Sequence, residues 1–490
     1  MRTALLALVT VTTLMTAPVS AAPPAAVRSA PSPTALTRVS SDPFTNSGSY
    51  HATEVEPDTY AAGSTIVGAF QAGRTFNGGS SDIGWVTSHD AGRHWSRGFL
   101  PDTVSSGGPY ALISDPAVAY DRKYRTWLIS GLTVSAATIG TGVVVNRSAD
   151  ALRWSKPVRV YAVAANGFAD KDWITCDNTP SSRHYGNCYA EFDLASAGDL
   201  LMMSVSVNGG RTWTPPKPTA DKAAGLGGQP LVQPDGRVVV PYFGFGSAGF
   251  IGSFVSANGG ASWSAHHVVS AVHSAPDGGG IRNEPLPSAQ QDASGKVYVV
   301  WDDCRFRAGC RSNDIVLSTS RNGTTWTPVV RIPIGSVAGA ADHMIPGIGV
   351  QPGTSGSRAR IAIYYYYYPD NACNLATCRL HVGYVSSVNG GKTWSAPIQV
   401  GGPTLLGRIV PTSIGRMVGD YIGTAIASGR AFALVAVGLP AAARKEFNEP
   451  MAVVARGEPV TGGPHAVQSA VPATPPAGHV PGSPAPPRRF

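Results

Sequence analysis

Apolar and polar residues alternate along this chain in short runs, and few stretches repeat every third or fourth position over the length of a helix. Residues 64–70 (STIVGAF), 83–88, 115–121 (DPAVAYD), 126–132 and 142–148 read as strands bounded by turn residues. Further on, residues 227–243 (GGQPLVQPDGRVVVPYF) give a strand, a Pro-Asp-Gly turn and a second strand. Residues 170–177, 283–320 and 342–368 continue the pattern, the last ending in five tyrosines, Tyr364 to Tyr368. On a strand, two or three of those rings share one side, open to core packing or to stacking on a sugar. An all-β fold is predicted.

A turn recurs at the end of six of these strand groups: SHDAGRHW from Ser88, SADALRW from Ser148, SVNGGRTW from Ser206, SANGGASW from Ser256, SRNGTTW from Ser320 and SVNGGKTW from Ser387. Asp or Asn at the third position can accept backbone N–H groups, Gly permits positive φ, and Trp anchors the turn on the sheet. The tryptophans at 95, 154, 213, 263, 326 and 394 are 50 to 68 residues apart, room for about four short strands per unit. A proline also recurs just before several opening strands: Pro116, Pro230, Pro285 or Pro287, and Pro346. Strand-like material at 421–428, 431–438 and 451–456 follows the sixth turn, and residues 51–59 could supply its fourth strand.

The turn resembles the Asp box, S-x-D-x-G-x-x-W, of the sialidase-like (BNR-repeat) β-propellers, although Asn208, Asn258, Asn322 and Asn389 replace the Asp in four copies. The resemblance spans roughly residues 45 to 435 and implies a propeller with six Asp-box blades. A seventh blade follows if the C-terminal strands close with an N-terminal one, and either closure protects edge strands. In that family the box is a structural turn, on the side away from the active site.

Composition sharpens the picture at the ends. Arg2, an apolar run to Leu14 and small residues to Ala22 have the layout of a secretory signal peptide, so residues 1–22 are expected to be removed on export. Residues 23–41 are a Pro/Ala-rich leader, 42–456 the propeller, and 457–490 a Pro-rich tail; both flanks are expected to be disordered. A secreted monomer with no remaining membrane span is expected. The net charge of +8 is modest for 490 residues and is not a nucleic-acid footprint. Six cysteines form three close pairs, Cys176 with Cys188, Cys304 with Cys310 and Cys373 with Cys378, and export permits disulfides. The spacing lacks a Cys-x2-Cys knuckle, so no metal or other cofactor is called for.

Candidate chemistry is densest around blade five, where Arg282, Asn283 and Glu284 precede a strand and Asp302, Asp303, Arg305, Arg307 and Arg311 follow it. The resemblance implies a sugar carboxylate held by arginines, a Tyr nucleophile activated by Glu, and an Asp proton donor. On this chain it points to Glu284, Tyr421 and Asp303 as catalytic residues, with Asp115 and Asp172 also open as the Asp. Arg282, Arg305, Arg307 and Arg416 are the substrate-binding candidates. The family's Arg-Ile-Pro signature does not occur before the first box; Arg331-Ile332-Pro333 has the letters but follows the fifth. His343 is the one histidine at a blade opening. The implied function is a secreted glycoside hydrolase acting on extracellular glycans, with an anionic sugar favoured. The alternative is a non-catalytic propeller that binds polysaccharide or a protein at the cell surface.

Overall fold

The computed structural model describes residues 36–165, 167–246, 249–441 and 445–469; the expected signal peptide and the end of the tail lie outside them. Blade one comprises Glu54–Ala62, Thr65–Arg74, Ser80–Ser88 and Ser96–Phe99, each antiparallel to the next. Blade two repeats this with Leu112–Asp121, Thr126–Val134, Gly140–Ser148 and Val158–Ala162, and blade three with Ala169–Cys176, Cys188–Leu194, Leu200–Ser206 and Lys217–Pro218. In blade four the inner strand is split into Gly225–Leu226 and Leu231–Val232. Blades five and six open on Ser288–Gln291 and Asp342–Val350.

A seventh four-stranded sheet completes the set: Thr424–Ala427, Arg430–Ala436, Met451–Val454 and, as its outermost strand, Leu36–Arg38. Its inner strand lies between those of blades six and one, so the inner strands form a closed ring. The protein is a seven-bladed β-propeller. The strand that closes it is not 51–59, as expected, because Glu54–Ala62 is occupied as the inner strand of blade one. Three residues within the presumed leader pair instead. The presumed tail likewise carries short strands: Glu458–Pro459 pairs in blade seven, His465–Ala466 pairs with Thr393–Trp394, and Gln468–Ser469 covers the outer edge of blade five.

All six boxes join the third and fourth strands of their blades. In the first, Asp90 Oδ1 accepts the Arg93 and His94 N–H groups at 3.0 and 2.9 Å, and Ser88 Oγ accepts that of Gly92 at 2.8 Å. Asn208 does the same work for Arg211 and Thr212, both at 3.0 Å. Trp263 and Trp394 are buried, whereas the other four box tryptophans are half-buried. The disulfides pair as expected, Cys176–Cys188, Cys304–Cys310 and Cys373–Cys378. No helix among the described residues is long and apolar enough to cross a membrane.

The tyrosine run packs between blades. Tyr364 and Tyr366 donate to the Ala431 and Ala436 carbonyls of blade seven, both at 3.0 Å. Tyr365 and Tyr367 turn the other way, against His343.

Candidate functional site

The inner strands begin on the face opposite the boxes, and four of them break register within their first residues: between Val55 and Asp58, Ser114 and Ala117, Asp170 and Asp172, and Met344 and Gly347. At each break one residue is left-handed: Glu56 (φ 53°), Asp115 (φ 50°), Lys171 (φ 31°) and Ile345 (φ 50°). A side chain in this region costs about 1–2 kcal/mol, and bulges of this kind re-aim the side chain they carry. Glu56, Asp115 and Ile345 each precede a proline, which accounts for part of the proline repeat in the sequence.

These bulges assemble a buried ionic cluster where blades one to three meet the loops before blades five and seven. Arg282 forms a bidentate pair with Asp420, its Nε at 2.7 Å from Oδ1 and its Nη2 on Oδ2. Gln71 donates to Glu56 and, at 3.0 Å, to Ser114 Oγ, and accepts Arg74 Nη1 at 3.0 Å. Lys171 Nζ lies 3.8 Å from the centre of the Tyr421 ring and 4.8 Å from that of Trp173, and donates to the Asp172 carbonyl at 3.1 Å. The Tyr421 hydroxyl donates to the Pro116 carbonyl at 3.0 Å.

Burial sets the protonation of this cluster. Burial, reinforced by Asp115 and Asp420, pushes the Glu56 carboxyl well above the usual range. Asp172, Glu191 and Asp193 are pushed up by the same desolvation. Burial and the repulsion of Arg282 bring Arg74 down to about 10. Tyr421 is raised, first by burial and then by the carboxylates around it, so its phenol is held protonated.

A roof covers the cluster. The Ser413 N–H donates to the Phe76 carbonyl of blade one at 3.0 Å, Arg416 pairs with Ile281 ahead of blade five, and the Val418 carbonyl accepts the Glu56 N–H at 3.1 Å. Residues 411–421 therefore cross the channel mouth, leaving Glu56, Asp115 and Tyr421 only 1%, 3% and 4% exposed. In the channel lies a cavity of about 40 Å³ to which all seven blades contribute, from Asp58 in blade one to Thr424 in blade seven. It has room for about two or three waters. That is too small for a sugar ring.

Arg282, Arg416 and Tyr421 thus come together, with the Arg282 N–H on the Arg416 carbonyl at 2.6 Å. Arg416 itself donates to the Ile409 carbonyl at 2.5 Å. Glu284 stands half-buried two residues beyond Arg282. Asp303 is engaged elsewhere: both its oxygens hold Arg305, at 2.8 and 2.7 Å, and it also accepts from Trp301 Nε1 and the His273 N–H. Arg307 is held by Asp314 at 2.7 and 2.6 Å, and that carboxylate also meets Arg331 at 2.9 Å. His343 is buried between rings, and desolvation lowers it to about 4. Beside Arg282, Asn283 donates to Asp277 and Asp302 at 3.0 and 3.3 Å, while burial and Asp277 push Asp342 up to about 9. Among the described residues, the one acidic or sulfur group tight enough to share an ion is Asp121, Cys176 and Cys188, where the sulfurs are joined to each other.

Sequence reasoning missed Glu56, Arg74 and Lys171. They lie in blades one and three and share no motif; the Glu-Pro and Asp-Pro steps at strand openings were the available signal.

No protein-family model matches the chain, and no curated protein matches it. Among solved structures it is similar to a protein of unknown function from Dyadobacter fermentans, at 14% identity and a TM-score of 0.47, covering 72% of this chain and 99% of that one. It is also similar to a Ruminococcus gnavus intramolecular trans-sialidase (14%, TM-score 0.36, 87% and 96% covered) and a Trypanosoma rangeli sialidase (11%, TM-score 0.42, 85% and 58% covered).

Proposed function

We propose that the protein is an extracellular glycoside hydrolase that works at the roofed mouth opposite the boxes. The observation that carries this reading is the pair of carboxyl side chains, Glu56 and Asp115, held on adjacent strained bulges beside Arg74 and Arg282. Glycoside hydrolysis needs one carboxyl group that keeps its proton and a second group that stabilises or captures the sugar cation. Glu56, pushed up by burial and by its acidic neighbours, is the proton donor to the leaving oxygen. Asp115 is the stabilising partner, and Tyr421 stands beside both. An anionic sugar would be received by Arg282, exchanging Asp420 for the substrate carboxylate, with Arg416 and Glu284 at the rim. The roof must lift for this to happen.

A second reading has its own support: the Tyr421 hydroxyl is spent on a backbone carbonyl and every reacting group is buried, as in a propeller that binds glycans without cleaving them. The test is release of a fluorogenic aryl group from α-sialosides and neutral glycosides. Turnover should fall by about 10²-fold or more in Glu56→Gln, and Tyr421→Phe tests the tyrosine separately. No turnover across the panel, with glycan binding that survives both substitutions, would establish the non-catalytic reading instead.

A further inference from the structure

The box face, which the hydrolase reading leaves without a role, carries an uneven charge. Three residues after the Asp or Asn of the box stands a cation in four copies, Arg93, Arg153, Arg211 and Lys392, and all four are exposed. Four of the six boxes carry Asn in place of Asp, and each Asn Oδ1 still accepts one or two backbone N–H groups of its turn. The exchange keeps the turn and removes four negative charges from this face. Asp90 and Asp150 remain, each paired within its own box to His94 or Arg153.

One group of these charges lies at the seam between blades two and three. The inner hairpin of blade two presents Arg122, Lys123 and Arg125, all exposed, and is docked on blade three by the Tyr124 hydroxyl, which donates to the Val207 carbonyl at 2.8 Å. Lys123 Nζ donates to the Tyr185 carbonyl at 2.9 Å, lying 5.5 and 5.9 Å from the centres of the Tyr124 and Tyr185 rings. Arg147 donates to the Gly209 carbonyl at 2.5 Å and Arg211 to that of Asn208 at 2.9 Å. These backbone carbonyls orient three cations without neutralising them. Burial and the nearby Arg211 pull Arg147 below its usual value, with the buried Asp121 opposing them.

We propose that this seam binds an extended acidic polysaccharide, with Arg122, Lys123, Arg125, Arg147 and Arg211 pairing its sulfate or carboxylate groups and the two tyrosines flanking the chain. Point charges spread over a shallow surface suit a polymer with anions along its length. Three disulfides suit an oxidising setting outside the cytosol, where such polymers occur. The inference is independent of any hydrolase activity.

The test is binding of the full chain to a heparin-derived dodecasaccharide, an oligogalacturonate and a DNA duplex of equal charge. For five pairings, affinity for the preferred oligosaccharide should fall on the order of a hundredfold between about 50 and 200 mM salt. Preference for the dodecasaccharide assigns the site to sulfate, and preference for oligogalacturonate assigns it to carboxylate. Arg122→Gln/Arg125→Gln/Arg211→Gln should lose at least about tenfold, while Arg358→Gln/Arg430→Gln, on the same face in blades six and seven, should lose less than about twofold. Lys123→Gln alone, expected to lose severalfold, keeps the test decisive if the triple variant does not fold. Equal losses in the two multiple variants, tighter binding of the duplex, or no saturable binding would each overturn the proposal.

Discussion

The Arg282–Asp420 pair ties the roof to the loop before blade five, and its worth can be worked out from its surroundings. The two side chains are 8% and 10% exposed, so solvent screens the pair little. Asp420→Ala leaves a buried guanidinium whose remaining acidic neighbours are Glu56 and Asp115. Losing one partner of a buried pair typically costs about 3–5 kcal/mol; those neighbours place this variant near the lower end. Arg282→Ala leaves Asp420, Glu56 and Asp115 facing Arg74 alone, also at about 3–5 kcal/mol. The double variant removes both charges and should cost about 3–4 kcal/mol, not the sum, giving a coupling of about 3 kcal/mol. Urea unfolding followed by tryptophan fluorescence, with an unchanged slope across the four proteins, measures each corner of the cycle. Additivity to within about 0.5 kcal/mol would show that the pair is not formed and that the roof is held by other contacts.

Trp394→Ala should destabilise by about 3–5 kcal/mol, because the ring is fully buried and donates to the Gly391 carbonyl, while the half-buried Trp213→Ala should cost visibly less; equal urea midpoints would contradict the packing described. Glu54, raised to about 7 by burial, is stabilising while protonated, so wild-type stability should decline as pH rises from about 4.5 to about 7. Other buried carboxyls, Asp58 among them, add to the decline, so Glu54→Gln should make it shallower, and parallel pH profiles for the two proteins would refute the assignment. A non-reducing peptide map should recover Cys176–Cys188, Cys304–Cys310 and Cys373–Cys378, and pairing between blades would be incompatible with the fold.

The boxes were legible in the sequence because their hydrogen bonds are local: Ser, Asp or Asn, Gly and Trp all act within eight residues. The blade openings were legible for the same reason, through strand alternation. Leu36–Arg38 was not, since three residues carry no period and their partners lie at Ala452 to Val454. The site was legible only in part. Arg282 and Tyr421 stood near acidic residues in the chain, whereas Glu56, Arg74 and Lys171 meet them through the ring, whose geometry no spacing records. Arg305 and Arg307 looked like ligand arginines because a string of letters does not show that Asp303 and Asp314 already hold them.

The closing strand has a consequence for the order of assembly. Met451 donates its N–H to Ser40 Oγ across 411 positions, so the last sheet cannot be completed until nearly the whole chain is available. A chain synthesised N-terminus first delivers one half of this clasp long before the other. Until then the second strand of blade seven has no outer neighbour, and the ring can gape between blades seven and one. Such late, distant pairing slows folding and leaves an adhesive edge open meanwhile. Deleting residues 36–38 should therefore show first as aggregation during refolding, and only afterwards as a lower melting point.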